Sequence, residues 1–310
     1  MENPWLIYCV KENGQGNGMK TPWRYVVITV VFALLCFLPH GITLGAARSS
    51  GRPWSDPVRL DIEGGTSPVA VSDERGVVHV FWGSPSGSPS GSSAVFYSQL
   101  RGDSWSQPID ILAAPNGEWV QVFQAVIDHQ GWIHLIVESG GAFYTTAHVT
   151  ETDSALNWAR PVQLSWSQTT PDLVLDTQDN LHLIYTGDPR RDPLVYHRLS
   201  SDHGISWSPP DIVALPQPDA YPINVRMTVD AQDKLHAIWC ESVAIFPPSG
   251  VYYAQSTDGG QTWTPPLEIA AGGYSWGSVG IDGKNNVHLF WTGTGAWAGK
   301  YHTWSSDGGT

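Results

Sequence analysis

The sequence feature that most constrains the fold is an internal repeat that occurs five times. Its copies read "SDERGVVHVFW", "IDHQGWIHLIV", "LDTQDNLHLIY", "VDAQDKLHAIW" and "IDGKNNVHLFW". Each copy joins an apolar strand that ends beside an aspartate, through a short turn, to a second strand centred on a histidine. The histidines recur every 48 to 55 residues, at His79, His134, His182, His236 and His288. Self-similarity at this period is typical of an array of supersecondary units.

Each repeat predicts four strands. A third apolar strand follows the pair, around Tyr97, Tyr144, Tyr196, Tyr252 or Tyr301. A Trp-x-x-Pro entry then leads to a fourth strand in "WSQPIDI", "WARPVQL", "WSPPDIV" and "WTPPLEI". Four strands in about 50 residues is the size of a β-propeller blade. With 32 glycines, 23 prolines and 16 tryptophans, the composition suits short strands and tight turns. We therefore expect an all-β chain with one β-propeller domain over residues 48–310.

The two ends of the repeat array predict how the ring closes. The chain stops in "SSDGGT", just before the tryptophan of the repeat, while "RPWSDPVRL" supplies Trp54, Pro57 and the apolar alternation of a fourth strand. Together the two ends complete one blade, which would remove the free sheet edges of an open ring. The prediction is five blades with the N-terminal strand closing the last one. If the sequence is a fragment of a larger ring, there are six or more.

The N-terminal segment has the layout of a secretory signal. The run "YVVITVVFALLCFL" follows Lys20 and Arg24 and leads to small residues before Ala47. Its length, about 14 residues, is below the roughly 18 to 20 that span a bilayer. Residues 1–47 are therefore expected to be a signal peptide, with an N-terminal membrane anchor as the alternative, and Met19 offers a second start. The domain is predicted to be secreted or extracytoplasmic.

The charge balance excludes two classes of partner. The formal net charge is −13, whereas nucleic acid and anionic membrane surfaces are bound by basic patches. Membrane contact is expected only through the N-terminal segment. Cleavage after Ala47 would leave Cys240 as the sole cysteine, so no intramolecular disulfide is expected. The repeat histidines lie on separate blades and are expected to be structural, and we predict neither a metal nor a cofactor.

The segment "STDGGQTW" aligns with "SSDHGISW" and with the terminal "SSDGGT". All three have the form Ser-x-Asp-x-Gly, and they resemble the Asp box, or BNR repeat, of the sialidase superfamily. We expect each to be a turn between third and fourth strands, since glycine permits a positive φ and the aspartate accepts turn N–H groups. The tryptophan that follows should pack between sheets. The segments "LRGDSW" and "TETDSALNW" of the other repeats lack the glycine spacing.

The resemblance to sialidases implies an exo-acting glycoside hydrolase. In that family three arginines hold the carboxylate of the substrate, a tyrosine assisted by a glutamate is the nucleophile, and an aspartate is the acid. This sequence departs from the pattern because the Arg-Ile-Pro motif is absent and Arg226 is the only arginine at an innermost-strand position. A set of three arginines is not evident.

Positions at which the repeats differ predict the functional site. Four residues before each repeat aspartate stand Val69, Gln124, Asp172, Arg226 and Ser278. Asn224 and Trp276 lie two residues further back, Glu118, Tyr221 and Tyr274 precede innermost strands, and Glu138 and Glu241 follow second strands. We expect all of these at the upper mouth of the axial channel. The predicted ligand-binding residues are Arg226, Gln124, Asn224, Trp276, Tyr274 and Glu118, and the candidate catalytic residues are Asp172, Glu241, Glu138 and Tyr221.

Aromatic rings beside carboxylates and amides suit a sugar, which stacks its C–H face and hydrogen-bonds through its hydroxyls. Two function classes remain open at this point. One is a binding module for a glycan or another surface ligand, favoured by the regular blades and the missing arginines. The other is a hydrolase for a sialoside or a neutral sugar; for a neutral sugar it needs two carboxylates about 5 to 9 Å apart. A raised carboxylate pKa in one pocket would favour the enzyme.

Overall fold

The computed structural model describes residues 55–60, 65–66, 68–84, 93–114, 119–242 and 248–309. The signal or anchor segment, Trp54 and Glu118 lie outside these residues. The sheets below belong to the compact unit Val58–Thr310. Within the described ranges, no helix has the length and apolar character needed to cross a membrane.

Each repeat forms one antiparallel sheet of strands that follow one another along the chain. The first sheet contains β1 (Val69–Ser72), β2 (Val78–Gly83), β3 (Ala94–Arg101), β4 (Ser104–Trp105) and β5 (Ile109–Ala113). The second contains β6 (Gln121–Ile127), β7 (Trp132–Glu138), β8 (Ala142–His148) and β9 (Val162–Gln163). The third contains β10 (Asp172–Leu175), β11 (Leu181–Thr186), β12 (Val195–Ser200) and β13 (Asp211–Ala214). The fourth contains β14 (Tyr221–Val229), β15 (Leu235–Ser242), β16 (Pro248–Ser256) and β17 (Leu267–Ala271). The fifth contains β18 (Tyr274–Ile281), β19 (Val287–Gly293) and β20 (Gly299–Ser305).

The prediction of an all-β, propeller-like chain of four-stranded antiparallel sheets is confirmed in this form. The first strands of successive sheets touch in series, β1 to β6, β6 to β10, β10 to β14 and β14 to β18. In the first sheet, β4 and β5 both pair with β3 and together take the place of the fourth strand. Residues 55–60 form no strand, and the fifth sheet has three strands in the described part of the chain. The number of blades and the closing N-terminal strand therefore remain predictions.

The core lies between neighbouring sheets. Strand β15 illustrates why, because Ala237 and Trp239 pack with residues of the third sheet whereas Ile238 and Cys240 pack with the fifth. A strand that is buried on both faces needs apolar residues at consecutive positions, so the repeats read as continuous apolar runs rather than as an alternation. Two single-turn 3-10 helices, Ala155–Asn157 and Gly295–Trp297, lie in connections.

The segment Ser256 to Trp263 is a turn between β16 and β17, as expected. The Ser256 hydroxyl accepts the Gly260 N–H at 2.9 Å and donates to Asp258 Oδ1 at 2.8 Å. The Thr262 N–H donates to the same Asp258 oxygen at 2.9 Å. The turn after β12 repeats these bonds with Ser200, Asp202, Gly204 and Ser206. These side chains close the turn internally, which gives them a structural role.

The glycines of these turns lie against the preceding sheet. Gly260 has a φ of +87°, and a Cβ there would lie 2.2 Å from Cε1 of His197 in the third sheet. A Cβ on Gly204 would likewise lie 2.0 Å from the Tyr144 hydroxyl oxygen, and a Cβ on Gly309 would lie 2.2 Å from the Tyr253 hydroxyl oxygen. Only a residue without a side chain fits such an approach.

The tryptophan after each turn packs on the same neighbour. Trp263 meets His197 edge-on at 5.8 Å between ring centroids, and Trp207 meets Tyr144 at 5.2 Å. The second repeat, which has no glycine there, instead presents Thr152, whose hydroxyl accepts a hydrogen bond of 2.8 Å from Tyr97 of the first sheet. The turns therefore fasten each sheet to the one before it.

This packing predicts unequal effects for two adjacent glycines. Gly259 also has a positive φ, +71°, but no atom lies within 4 Å of its Cβ position. We expect Gly259→Ala to lower the free energy of unfolding by about 1 to 2 kcal/mol through the left-handed backbone alone. Gly260→Ala should lower it further, by at least about 2 kcal/mol more, because His197 must move. Urea unfolding of both variants checks this, and equal losses would contradict the contact.

Candidate functional site

The five repeat histidines do not converge on one another. In every sheet the histidine Nε2 lies 3.2 to 3.5 Å from an oxygen of the aspartate that ends the first strand. The Nδ1 atom meets a third-strand side chain of the same sheet at 2.6 to 3.0 Å, namely Tyr97, Tyr144, His197, Tyr253 or His302. Each histidine is thus hydrogen-bonded within its own sheet, as the sequence predicted. In the ranges that the structure describes, no three His, Cys, Asp or Glu side chains form a group able to hold a metal ion.

Burial sets the charge state of three repeat histidines and of His197. It lowers the pKa of His79, His182 and His236, against the opposing effect of each partner aspartate. Burial, together with the adjacent His182, lowers the pKa of His197 to about 3. The imidazoles of His79, His182, His197 and His236 are therefore neutral at neutral pH.

The predicted residues Gln124, Asp172 and Arg226 come together across three adjacent innermost strands. Gln124 Nε2 on β6 donates to Asp172 Oδ1 on β10 at 3.3 Å. The Met227 N–H on β14 donates to Asp172 Oδ2 at 3.0 Å, and the Leu173 N–H donates to Oδ1 at 3.0 Å. We call Gln124, Asp172 and Arg226 the inner row. Each of the three stands four residues before the repeat aspartate of its own strand. Because the repeats have equivalent strands, the three residues lie at the same height along neighbouring strands.

Asp172 is the electrostatic centre of the inner row. Burial raises the pKa of its carboxyl group, whereas Arg226 and the three hydrogen bonds oppose that rise. Arg226 in turn donates to the Val225 carbonyl at 2.8 Å, and its guanidinium lies 5.9 Å from the ring centroid of Phe123 on β6. Sequence comparison of the repeats missed Phe123, although the break in apolar alternation at "VFQAV" was a signal for an irregular strand.

Three innermost strands carry a β-bulge near this level. The pairing register shifts between Val122 and Gln124 in β6, between Ile223 and Arg226 in β14, and between Ser275 and Gly277 in β18. Bulges redirect side chains and are frequent beside functional sites.

The bulges explain the conformations of two predicted binding residues. Asn224 and Trp276 have φ values of +53° and +54°. A positive φ is costly for a bulky side chain such as tryptophan, so it persists only where the surrounding structure enforces it. Trp276 is nevertheless 60% exposed. The fold thus holds a large aromatic ring in water at the start of an innermost strand.

The two glutamates assigned to possible catalysis are buried at the ends of second strands. Glu241 accepts the Gln217 N–H at 3.0 Å and the Trp239 indole N–H at 3.2 Å, and burial raises the pKa of its carboxyl group. Glu138 accepts the Gly140 N–H at 2.9 Å. A general acid or base must come within hydrogen-bond reach of the substrate. These carboxylates, like Asp172, instead serve the protein's own backbone and side chains.

Tyr274 differs from its predicted placement. Its ring is buried and packs against Trp291, Trp297 and Tyr301 at 5.4 to 6.4 Å between centroids. The residue therefore contributes to the core of the fifth sheet rather than to a surface that a ligand reaches, because three aromatic neighbours enclose it. Tyr221 is half-buried at the start of β14, opposite Ser242. Glu118 lies outside the described residues.

No protein-family model matches the sequence, and no curated protein matches it. Solved structures do resemble the fold. A protein of unknown function from Dyadobacter fermentans DSM 18053 has a TM-score of 0.58 at 14% identity, over 77% of this chain and 78% of that one. An ulvan lyase of polysaccharide lyase family 25 has a TM-score of 0.60 at 12% identity, over 79% and 71%. The microbial sialidase Hz136 has a TM-score of 0.50 at 14% identity, over 72% and 49%.

At these identities the likeness concerns the fold. The chain has a propeller-like fold that is similar to the folds of a polysaccharide lyase and a sialidase. This supports the fold that the sequence resemblance to sialidases implied. The identification of the Ser-x-Asp-x-Gly turns as Asp boxes stays a prediction.

The inner row predicts a stability effect. Asp172→Ala removes the acceptor for two buried N–H groups and for Gln124, so we expect it to lower the free energy of unfolding by about 2 to 4 kcal/mol. Asp172→Asn retains one acceptor oxygen and should cost less. Asp211→Ala, at an exposed position of β13, is the control and should stay within about 0.5 kcal/mol. Chemical denaturation measures all three, and a neutral Asp172→Ala would contradict the inter-strand bonds.

The lowered pKa of His197 predicts acid sensitivity. Between the ordinary pKa of 6.5 and the folded-state pKa of about 3, the unfolded chain binds a proton that the folded chain does not. Stability therefore falls as pH falls through this window. His197→Tyr reproduces the tyrosine found at Tyr144 and Tyr253 and removes the titrating group. Unfolding free energies measured from pH 6 to pH 4 should then depend less steeply on pH, by about 1.4 kcal/mol per pH unit. An unchanged slope would assign the acid sensitivity to other groups.

Proposed function

We propose that this chain is an extracytoplasmic carbohydrate-binding propeller, with the ligand seated on Trp276 beside Asn224 and the inner row. The observation that carries the proposal is the exposed Trp276, held at a positive φ by a bulge on an innermost strand. An exposed aromatic face stacks on the C–H face of a sugar ring. Backbone strain at such a residue is typical of a binding site rather than of a scaffold position.

The inner row supplies the polar part of the proposed site. Gln124 and Arg226 are only partly buried, so their amide and guanidinium groups are placed to bind sugar hydroxyls. Asp172 acts as a positioning residue, since its carboxylate holds Gln124 and the β14 backbone in place. Arg226 also offers one cationic contact for an acidic sugar.

The structural neighbours support a carbohydrate as the ligand class. The ulvan lyase is described as bound to a saccharide of glucuronic acid and sulfated rhamnose, and Hz136 is described as a sialidase. A shared fold does not by itself fix the ligand. The aromatic and amide groups of the inner strands are the independent reason for choosing sugars.

A glycoside hydrolase is the second candidate. The observation that favours it is the raised pKa of the carboxyl groups of Asp172 and Glu241, because a protonated carboxyl group can act as a general acid. Against it stand the burial of these carboxyl groups and the single arginine of the inner row. We therefore place binding first.

The test combines a glycan array with turnover assays on the same sample of the full chain, secreted from its own leader. We expect saturable binding to at least one glycan without hydrolysis of fluorogenic sialosides or neutral glycosides. Trp276→Ala should weaken binding about tenfold or more. The matched control is Trp304→Ala on the same sheet, 57% exposed against 60% for Trp276, which should bind like the parent protein.

Each alternative result has a definite meaning. Turnover that disappears in Asp172→Asn or Glu241→Gln would make the protein a hydrolase and reject the leading proposal. Equal loss of binding in the Trp276 and Trp304 variants would remove the ligand from the proposed site. Extracytoplasmic location is part of the proposal, and N-terminal sequencing of the secreted protein should begin at Arg48.

A further inference from the structure

A cavity lies at the junction of the second and third sheets, and no residue of the inner row lines it. Its volume is about 340 Å³, and its lining includes Trp166, Asp188, Arg191, Asp192 and Tyr196. Trp166 belongs to the connection from β9 to β10, and Asp188 to Asp192 belong to the connection from β11 to β12. In antiparallel sheets both connections lie at the end opposite the Ser-x-Asp-x-Gly turns. A volume above about 300 Å³ is in the range of ligand pockets.

Trp166 is the distinctive residue of this cavity. Its side chain is 83% exposed. It lies four residues after Val162, which pairs with Tyr144. The corresponding positions, counted from the residues that pair with Tyr97, His197 and Tyr253, are Ala113, Leu215 and Ala271. Among the four repeats whose fourth strand the structure describes, the second alone carries an aromatic ring here, so the tryptophan is not a requirement of the repeating scaffold.

Polar side chains line the same cavity as Trp166. Asp188 Oδ1 accepts the N–H groups of Arg190 and Arg191 at 2.8 and 3.2 Å, and its other oxygen accepts no hydrogen bond from the described residues. The Tyr196 hydroxyl donates to Asp192 Oδ2 at 2.5 Å. The guanidinium of Arg191 makes no hydrogen bond or ion pair with any residue that the structure describes. Free donors and acceptors therefore stand beside an exposed aromatic face.

Hydrogen bonds and ring stacking support several residues that line the cavity. Arg198 donates from Nε to the Tyr185 hydroxyl at 3.3 Å and from Nη1 to the Ser208 carbonyl at 3.0 Å. Tyr185 and Tyr196 stack at 5.5 Å between centroids. Gly187 allows the loop to return closely, since a Cβ there would lie 2.1 Å from the Asp192 carbonyl oxygen. A site with this support needs little reorganisation to bind a ligand.

We infer that this cavity is a second carbohydrate site, which takes one neutral pyranose residue of a glycan. Two aspartates and two arginines line it, so their formal charges cancel and a neutral ligand fits better than an ion. An indole stacks on the C–H face of a pyranose, while Arg191 donates to ring hydroxyls and Asp188 accepts from them. The site shares no residue with Trp276 or the inner row, so it stands or falls independently of the proposed function.

The test uses the full chain labelled with 5-fluorotryptophan. Trp166→Phe identifies the fluorine resonance of Trp166, and the remaining resonances report whether the fold is retained. The probes are the methyl glycosides of glucose, galactose, mannose and xylose, together with cellobiose and xylobiose. We expect at least one of them to shift the Trp166 resonance saturably. Arg191→Ala should weaken that binding about threefold to tenfold, whereas Arg190→Ala, the neighbouring arginine that does not line the cavity, should leave it unchanged.

Several outcomes would overturn the inference. They are the absence of a shift with every saccharide, an equal effect of the two arginine variants, and a shift produced by N-acetylphenylalanine amide but by no sugar, which would assign the cavity to a peptide. The variant Trp276→Ala separates this site from the inner-row site. If a saccharide shifts the Trp166 resonance while Trp276→Ala leaves array binding at the parental level, the proposed function fails and the second site stands. If Trp276→Ala weakens array binding while no saccharide shifts the Trp166 resonance, the second site fails and the proposed function stands.

Discussion

The structure depends on a network of polar side chains that links the first three strands of each sheet. An aspartate at the end of the first strand lies 3.2 to 3.5 Å from Nε2 of the repeat histidine. Nδ1 of that histidine makes a hydrogen bond to a tyrosine or a second histidine on the third strand. The turn of the following sheet then closes over that ring, as Gly204 does over Tyr144 and Gly260 over His197. Because buried polar groups are expensive when unpaired, the sheets are fixed in one mutual arrangement.

This network of side chains also explains which end of each sheet can differ in sequence between repeats. The end of each sheet that carries the aspartate and the Ser-x-Asp-x-Gly turn is closed by residues that satisfy one another. The opposite end is formed by bulged first strands and by connections of unequal length, so side chains there differ between repeats. Gln124, Asp172 and Arg226 occupy one such level, and Trp166 occupies another. Both proposed sugar sites therefore lie on the variable end of a rigid scaffold.

The two candidate functions, carbohydrate binding and glycoside hydrolysis, assign different roles to the carboxylates of the site. A raised pKa suits a general acid, but burial alone raises the pKa of any carboxyl group. Asp172 accepts an N–H group of the neighbouring strand β14, and Glu241 accepts the N–H of Gln217 and the indole N–H of Trp239. Such carboxylates define the position of other side chains. The exposed residues, Trp276 and Trp166, have the chemistry of contact with a sugar rather than of proton transfer.

The sequence by itself determined the first three strands of each repeat, the structural role of the histidines and the turn role of the Ser-x-Asp-x-Gly segments, because the same residue pattern recurs in five copies. It also placed Gln124, Asp172 and Arg226 at the same height along their strands, because each lies the same number of residues before the aspartate that ends its strand. Only the tertiary structure decided which side chains are exposed. A bulge of one residue turned Phe123 towards Arg226 and put Trp276 at a positive φ, and packing between sheets enclosed Tyr274, Glu138 and Glu241. The Trp166 cavity arises from two connections of different repeats, and such a distance across sheets is set by packing rather than by spacing along the chain.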